Sequence, residues 1–215
     1  MNRSAWLFLL CGTAVLAAEA VPPGFTDITP GPGLKGWHIS QVNHHGNSTA
    51  WKVNQGVLTG TQDRKDNGGI VLTDTKYKDV EVYLEMNPDF GCDSGLFLRS
   101  NEKGEAYQVM LDYLPGGNMG GVYGEGLQGV RAQTADWEKH WKKGEWNSIR
   151  ARIEGPTPHI QVWMNGDQIT DWTDTANHTA GGAEDGMIAL QIHGGSRCTP
   201  DLYHRFRNVA VKELH

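Results

Sequence analysis

Two short segments gather the side chains best suited to chemistry. In Ser94-Gly95-Leu96-Phe97-Leu98-Arg99-Ser100 and in Ala106-Tyr107-Gln108-Val109-Met110-Leu111-Asp112, apolar and other residues alternate with period two. That is the pattern of a strand with one buried face. Leu96 and Leu98 then share one face, with Gly95, Phe97 and Arg99 on the other. Likewise Tyr107, Val109 and Leu111 oppose Gln108, Met110 and Asp112. A guanidinium stabilises negative charge developing on oxygen, a carboxylate takes or gives a proton, and an amide both donates and accepts hydrogen bonds. Arginine, amide and carboxylate on neighbouring non-core faces suit a polar ligand the size of a sugar.

Three further positions join this set. His193, in Leu190-Gln191-Ile192-His193-Gly194-Gly195, lies opposite the apolar Ile192 face, beside glycines that leave room for a ligand, and Gln191 precedes it. Tyr123 and Glu125, in Gly120-Gly121-Val122-Tyr123-Gly124-Glu125-Gly126, pair an aromatic platform with a carboxylate. Each has a plainer reading: a solvated arginine, a strand-ending aspartate, a satisfied structural histidine. His44-His45 reads as a solvated loop, because adjacent histidines diverge and no carboxylates stand at ligand spacing, although such a loop can still rim a sugar site. Gly31-x-Gly33-x-x-Gly36 matches a dinucleotide fingerprint as a string only, since prolines interrupt it and no helix follows. Glu81 and Glu85 share a face, but at strand rise they stand roughly 13 Å apart. Paired glycosidase carboxylates need roughly 5–9.5 Å, so that strand carries no conventional two-carboxylate mechanism.

The elements that position these residues are strands. Val80-to-Met86, Ser148-to-Ile153, His159-to-Met164 and Ile188-to-His193 all alternate, and turns recur about every 8–12 residues. Asn165-Gly166 predicts a two-residue hairpin between 160–164 and 168–172, and Gly155-Pro156-Thr157-Pro158 marks the preceding turn. Only 135–143 reads as helical. With 28 glycines and eight tryptophans, the pattern predicts an all-β sandwich or barrel.

Residues 1–20 read as a secretory leader: Arg3 is a basic start, 5–16 an apolar run, and Ala18-Glu19-Ala20 an A-x-A cleavage site. Cleavage near Ala20 implies export to the periplasm or exterior, and leaves 21–215 as one domain. No later run is apolar for long enough to span a bilayer. The net charge of −6, without a basic cluster, argues against nucleic acid. Cys92 and Cys198 form either a disulfide or two buried thiols. A bond would close a loop worth on the order of 4–5 kcal/mol by chain entropy.

An ordered set of motifs carries a resemblance. Gly24-Phe25-Thr26-Asp27, Leu34-Lys35-Gly36-Trp37, Asp93-Ser94-Gly95-Leu96-Phe97-Leu98-Arg99 and Tyr107-Gln108-Val109 come first. Gly121-Val122-Tyr123-Gly124, Trp146-Asn147, Trp163-Met164-Asn165-Gly166, Gly186-to-Gly194 and Phe206-to-Lys212 follow. Together they resemble the 3-keto-disaccharide hydrolase domain family across nearly all of 21–215. The resemblance implies a concanavalin A-like jelly-roll β-sandwich and a small carbohydrate substrate oxidised at C3. Two departures stand out: Asp93 where the family usually has Asn, and Tyr107-Gln108-Val109-Met110 where it has Tyr-Glu-Val-Gln.

A ketone at C3 acidifies the C2 proton. Its removal gives an enolate that expels the C1 oxygen, and later addition of water completes a net hydrolysis. On this chemistry His193 is the base, with Asp112 as rival, and Arg99, with or without a divalent cation, stabilises the enolate. Glu125 or Tyr123 protonates the leaving oxygen, while Gln108, Tyr123, Phe97 and Gln191 bind the sugar. The alternatives are a non-catalytic, lectin-like carbohydrate-binding module and a structural or cell-surface interaction domain without sugar affinity.

Overall fold

The protein is described by a computed structural model covering residues 21–89, 91–134, 136–196 and 198–215. The leader-like residues 1–20 lie outside the described residues. The strands in chain order are β1 (Thr26–Asp27), β2 (Trp37–Ile39), β3 (Trp51–Asn54), β4 (Val57–Gly60), β5 (Gly69–Tyr77) and β6 (Val80–Met86). They continue as β7 (Ser94–Ser100), β8 (Ala106–Leu111), β9 (Val122–Glu125), β10 (Arg131–Ala132) and β11 (Asn147–Glu154). β12 (His159–Met164), β13 (Asp167–Thr173), β14 (Gly186–Ile192) and β15 (His204–Glu213) complete the set. The helical reading of 135–143 reduces to one 3-10 turn at Trp137–Lys139.

The strands form two antiparallel sheets. A back sheet runs β13-β12-β11-β6-β15-β4-β3, with β1 added on β15, and a front sheet runs β10-β9-β8-β7-β14-β5-β2. Stacked face to face they make the concanavalin A-like jelly roll, whose alternating strands each give one face to a shared core. Val82, Leu84, Ile149, Ile153, Val162 and Phe206 come from the back sheet, and Leu96, Leu98, Tyr107, Val109, Leu190 and Ile192 from the front. The β12–β13 hairpin turns on Asn165 and Gly166 at φ 50° and 95°, the two positive values a type I′ turn demands.

The front sheet also buries part of its outer face. Ile70, Leu72, Phe97, Ala106, Met187 and Ala189 form a second apolar cluster there. Segment 101–105 helps to cover it: a Cβ at Gly104 would stand 2.8 Å from Ile70 Cδ1, and Ser40 Oγ donates to Glu102 O at 2.6 Å. The rest of that face remains open as a cavity.

β7 does not stay regular to its end. Phe97 faces Ala189 and Ser100 faces Met187, so β7 spends three steps where β14 spends two, and Arg99 takes φ 51°. Such a bulge re-aims the side chains around it, and the expectation that Arg99 shares the face of Phe97 is corrected here. Arg99 Nε donates to Lys78 O at 3.1 Å, and Nη2 donates to Asp79 Oδ1 and Gly155 O at 2.9 and 3.0 Å. It ties β7 to the turns that begin β6 and end β11. Glu81 and Glu85, on the back sheet, meet Arg150 and Arg207 respectively.

Candidate functional site

The cavity on the front sheet has a volume of about 590 Å3. Its floor comes from β9, β8 and β14, with β7 running between the last two: Tyr123 and Glu125 from β9, Gln108 and Met110 from β8, and Gln191 from β14. Period-two alternation puts each pair on one face, and the register sets Gln108 opposite Tyr123 and Gly95 opposite both Met110 and Gln191. Gly95 is required there: a Cβ would stand 2.3 Å from Gln108 Nε2. The walls are His44 to Gly46, Asp66 and Asn67, Asp93, and His193 to Gly195. Two of these walls pack backbone on backbone, because a Cβ at Gly68 would lie 2.2 Å from Ile192 O.

A chain of hydrogen bonds crosses the floor. Gln108 Nε2 donates to Gln191 Oε1 at 3.0 Å, and Gln191 Nε2 donates to His45 Nδ1 at 3.1 Å. Glu125 Oε1 lies 2.8 Å from His44 Nε2 and 3.7 Å from His45 Nε2. The side chains of His45 and Glu125 are only 8% and 12% exposed, whereas that of His44 is 61% exposed. Burial, reinforced by His44 and His193, pulls the His45 pKa down to about 3, so its ring is neutral. Burial raises the Glu125 carboxyl above its ordinary value, against the opposing pull of His44.

His193 has a defined tautomer. Its Nδ1 lies 2.7 Å from Gly194 O, and a carbonyl only accepts, so Nδ1 carries the proton. In the neutral ring Nε2 then keeps the lone pair. An imidazole of assigned tautomer and a carboxyl whose pKa burial raises therefore stand in one cavity.

Of the residues singled out from the sequence, Glu125, His193, Gln108, Tyr123 and Gln191 all line this cavity. Three do not. Arg99 is bound to Asp79 at the opposite end of β7, with its side chain fully enclosed. Asp112 follows β8 outside the lining, where Oδ1 accepts from Leu114 N at 3.3 Å. Phe97 is buried beneath the floor, its ring edge-on to His45 at 6.2 Å. The reading of His44-His45 as a solvated loop is corrected for His45. Asp66, Asn67, Asp93 and Met110 were missed as lining residues; Asp93 and Met110 stand where this chain departs from the family pattern.

Among the described residues, two clusters gather side chains of metal-ligand type. One donor atom each from His44, His45 and Glu125 lie within 4.8 Å of one another, an N,N,O set suited to a divalent cation. Cys92, Asp93, His193 and Cys198 make the other. Its two cysteines are joined in a disulfide, Cα atoms 4.6 Å apart, which links the start of β7 to the segment after β14.

Among the described residues no helix is long and apolar enough to cross a membrane. A search of curated proteins found no match. Among solved structures, a protein of Parabacteroides distasonis ATCC 8503 carrying the provisional name glycosyl hydrolase is similar at 21% identity. Its TM-score is 0.62, over 88% of this chain and 99% of that one. Carbohydrate-binding module CBM66 from Bacillus subtilis is 14% identical at TM-score 0.56, over 83% and 96% of the two chains. Bacillus licheniformis β-glucanase is 12% identical at TM-score 0.60, over 89% and 99%. At these identities the likeness is one of fold. A sequence profile of 3-keto-alpha-glucoside-1,2-lyase-like domains matches residues 24–212, and the chain belongs to that family.

Proposed function

We propose that this protein cleaves the glycosidic bond of 3-keto glycosides by elimination, with addition of water completing a net hydrolysis where it follows. His193, with its proton held on Nδ1 by Gly194 O, carries the reading. Nε2 removes the C2 proton, electrons move onto the C3 oxygen as an enolate, and collapse of the enolate breaks the bond from C1 to the leaving oxygen. Glu125, raised toward its protonated form by burial, returns a proton to that oxygen. Tyr123, on the same strand, provides a stacking face. Gln191, itself held by Gln108, keeps the neutral ring of His45 in place, and Arg99, bound to Asp79 outside the cavity, has no part in the chemistry.

A divalent cation held by His44, His45 and Glu125 would supply Lewis-acid stabilisation of the enolate; Tyr123 would then be the proton donor. The leader-like residues 1–20 support export to the periplasm or exterior, with 21–215 as the working domain.

The test incubates the protein with a 3-keto glucoside and its unoxidised parent, with and without a chelator. Aglycone release from the keto sugar alone is expected, falling by two or more orders of magnitude in His193→Gln. No release from either sugar across several aglycones, together with measurable sugar binding, would instead identify a carbohydrate-binding module.

A further inference from the structure

The wall of the cavity that carries His193 also carries an unusual donor set. One donor atom from each of Cys92, Asp93, His193 and Cys198 lies within 4.8 Å of the other three. Cys198 Sγ is 3.9 Å from His193 Nδ1. Both cysteines are buried, while Asp93 and His193 line the cavity. Two thiolates, an imidazole nitrogen and a carboxylate oxygen make a four-ligand set for a thiophilic divalent cation. Joined to each other, the sulfurs offer no thiolate and the set is incomplete.

We propose that these four residues form a redox-gated site for Zn2+, opened when the Cys92–Cys198 disulfide is reduced, and that zinc bound there silences His193. The second half rests on the function proposed above; the first does not.

The backbone around both cysteines is held without the disulfide. Cys92 O accepts from Tyr113 Oη. Cys198 N donates to Gly195 O at 3.0 Å, and Cys198 O accepts from Gln62 Nε2 at 2.9 Å. Reduction therefore leaves the ligands close to where they stand, and ordering cost is already met by the fold. With a trialkylphosphine as reductant, the S–S bond breaks, phosphorus takes the oxygen of one water as phosphine oxide, and that water's two hydrogens end on the sulfurs. Zn2+ then forms two Zn–S bonds and releases those two protons.

The consequence for His193 follows from its tautomer. Its Nδ1 now donates to Gly194 O, and only the deprotonated nitrogen can bind metal. The neutral ring must then carry its proton on Nε2, so the lone pair required for C2 deprotonation is gone.

The experiment uses the full chain, reduced with a trialkylphosphine, and titrates Co2+ as a spectroscopic stand-in before displacing it with Zn2+. One equivalent of Co2+ with thiolate-to-cobalt charge-transfer absorption is expected in the reduced protein, and none in the oxidised one. Cys198→Ser should abolish the band. His45→Ala, which dismantles the other candidate cluster, should retain it. A reduced protein with no band, a band that persists in Cys198→Ser, or loss of the β-sheet circular dichroism on reduction would each overturn the proposal. If turnover of a 3-keto glycoside is established, reduction plus Zn2+ should lower it at least tenfold and a chelator should restore it. A metal-loaded protein with undiminished turnover would overturn the silencing of His193 alone.

Discussion

Acid should destabilise this protein through one residue remote from the chemistry. His204 opens β15 fully buried, its ring 5.8 Å from Tyr113 and 6.3 Å from Phe206. Burial lowers its pKa from 6.5 to about 4. The unfolded chain therefore takes up the proton at a pH where the folded chain still refuses it. The stability associated with neutral His204 is intact above pH 6.5 and is lost as the pH falls from there toward 4. At about pH 5 the loss is about 2 kcal/mol, and below pH 4 it approaches about 3 kcal/mol. His204→Phe keeps an aromatic ring beside Phe206 and removes the titration. Chemical denaturation of both proteins at about pH 7.5 and about pH 5 should show the parent losing about 2 kcal/mol more than the variant. Because the comparison is a difference of differences, other titrating groups cancel. Equal acid losses in the two proteins would refute the reasoning.

Three further outcomes separate structure from chemistry. Arg99→Met should cost about 1–3 kcal/mol of unfolding free energy by leaving Lys78 O and Gly155 O without their donor and the part-exposed Asp79 without its cation; turnover by whatever remains folded should be unchanged. Gln191→Leu removes the acceptor of Gln108 and the donor to His45. It should cost about 2–4 kcal/mol and lower keto-glycoside turnover, whereas Gln191→Asn should recover neither, its amide falling one methylene short. Gly68→Ala forces a methyl to within 2.2 Å of Ile192 O, where only backbone can yield. A loss of about 3 kcal/mol and a displaced His193 segment should follow, seen as a lower melting temperature together with a raised KM.

Much of this site was legible before any fold was known, for a simple reason. A strand repeats every two residues, so the sequence alone assigns Gln108, Met110, Gln191 and His193 to the face opposite the core, while Tyr123 and Glu125 stand out as an aromatic and a carboxylate in a glycine-rich segment. Five of the eight proposed catalytic and binding residues, Gln108, Tyr123, Glu125, Gln191 and His193, line the cavity. The same logic failed at Arg99, because a bulge adds one residue to β7 and breaks the parity on which the inference depends. Asp112 failed for a related reason: it lies past the end of β8, where alternation no longer applies.

The sequence by itself determined the class of fold, the hairpin at Asn165-Gly166 and the polar face of β8, β9 and β14, since all of these follow from local backbone geometry and period. Tertiary structure alone decided which loops meet over that face. His45 and Glu125 are far apart in the chain, and no local rule brings them to one carboxylate oxygen; the strand order and the close glycine packing of Gly68 against Ile192 do so. The tertiary fold also decided that His45 is buried and neutral, that Gly194 O sets the tautomer of His193, and that Cys92, Asp93, His193 and Cys198 converge on one point. Burial and proximity arise from contacts distant in sequence, and periodicity does not encode them.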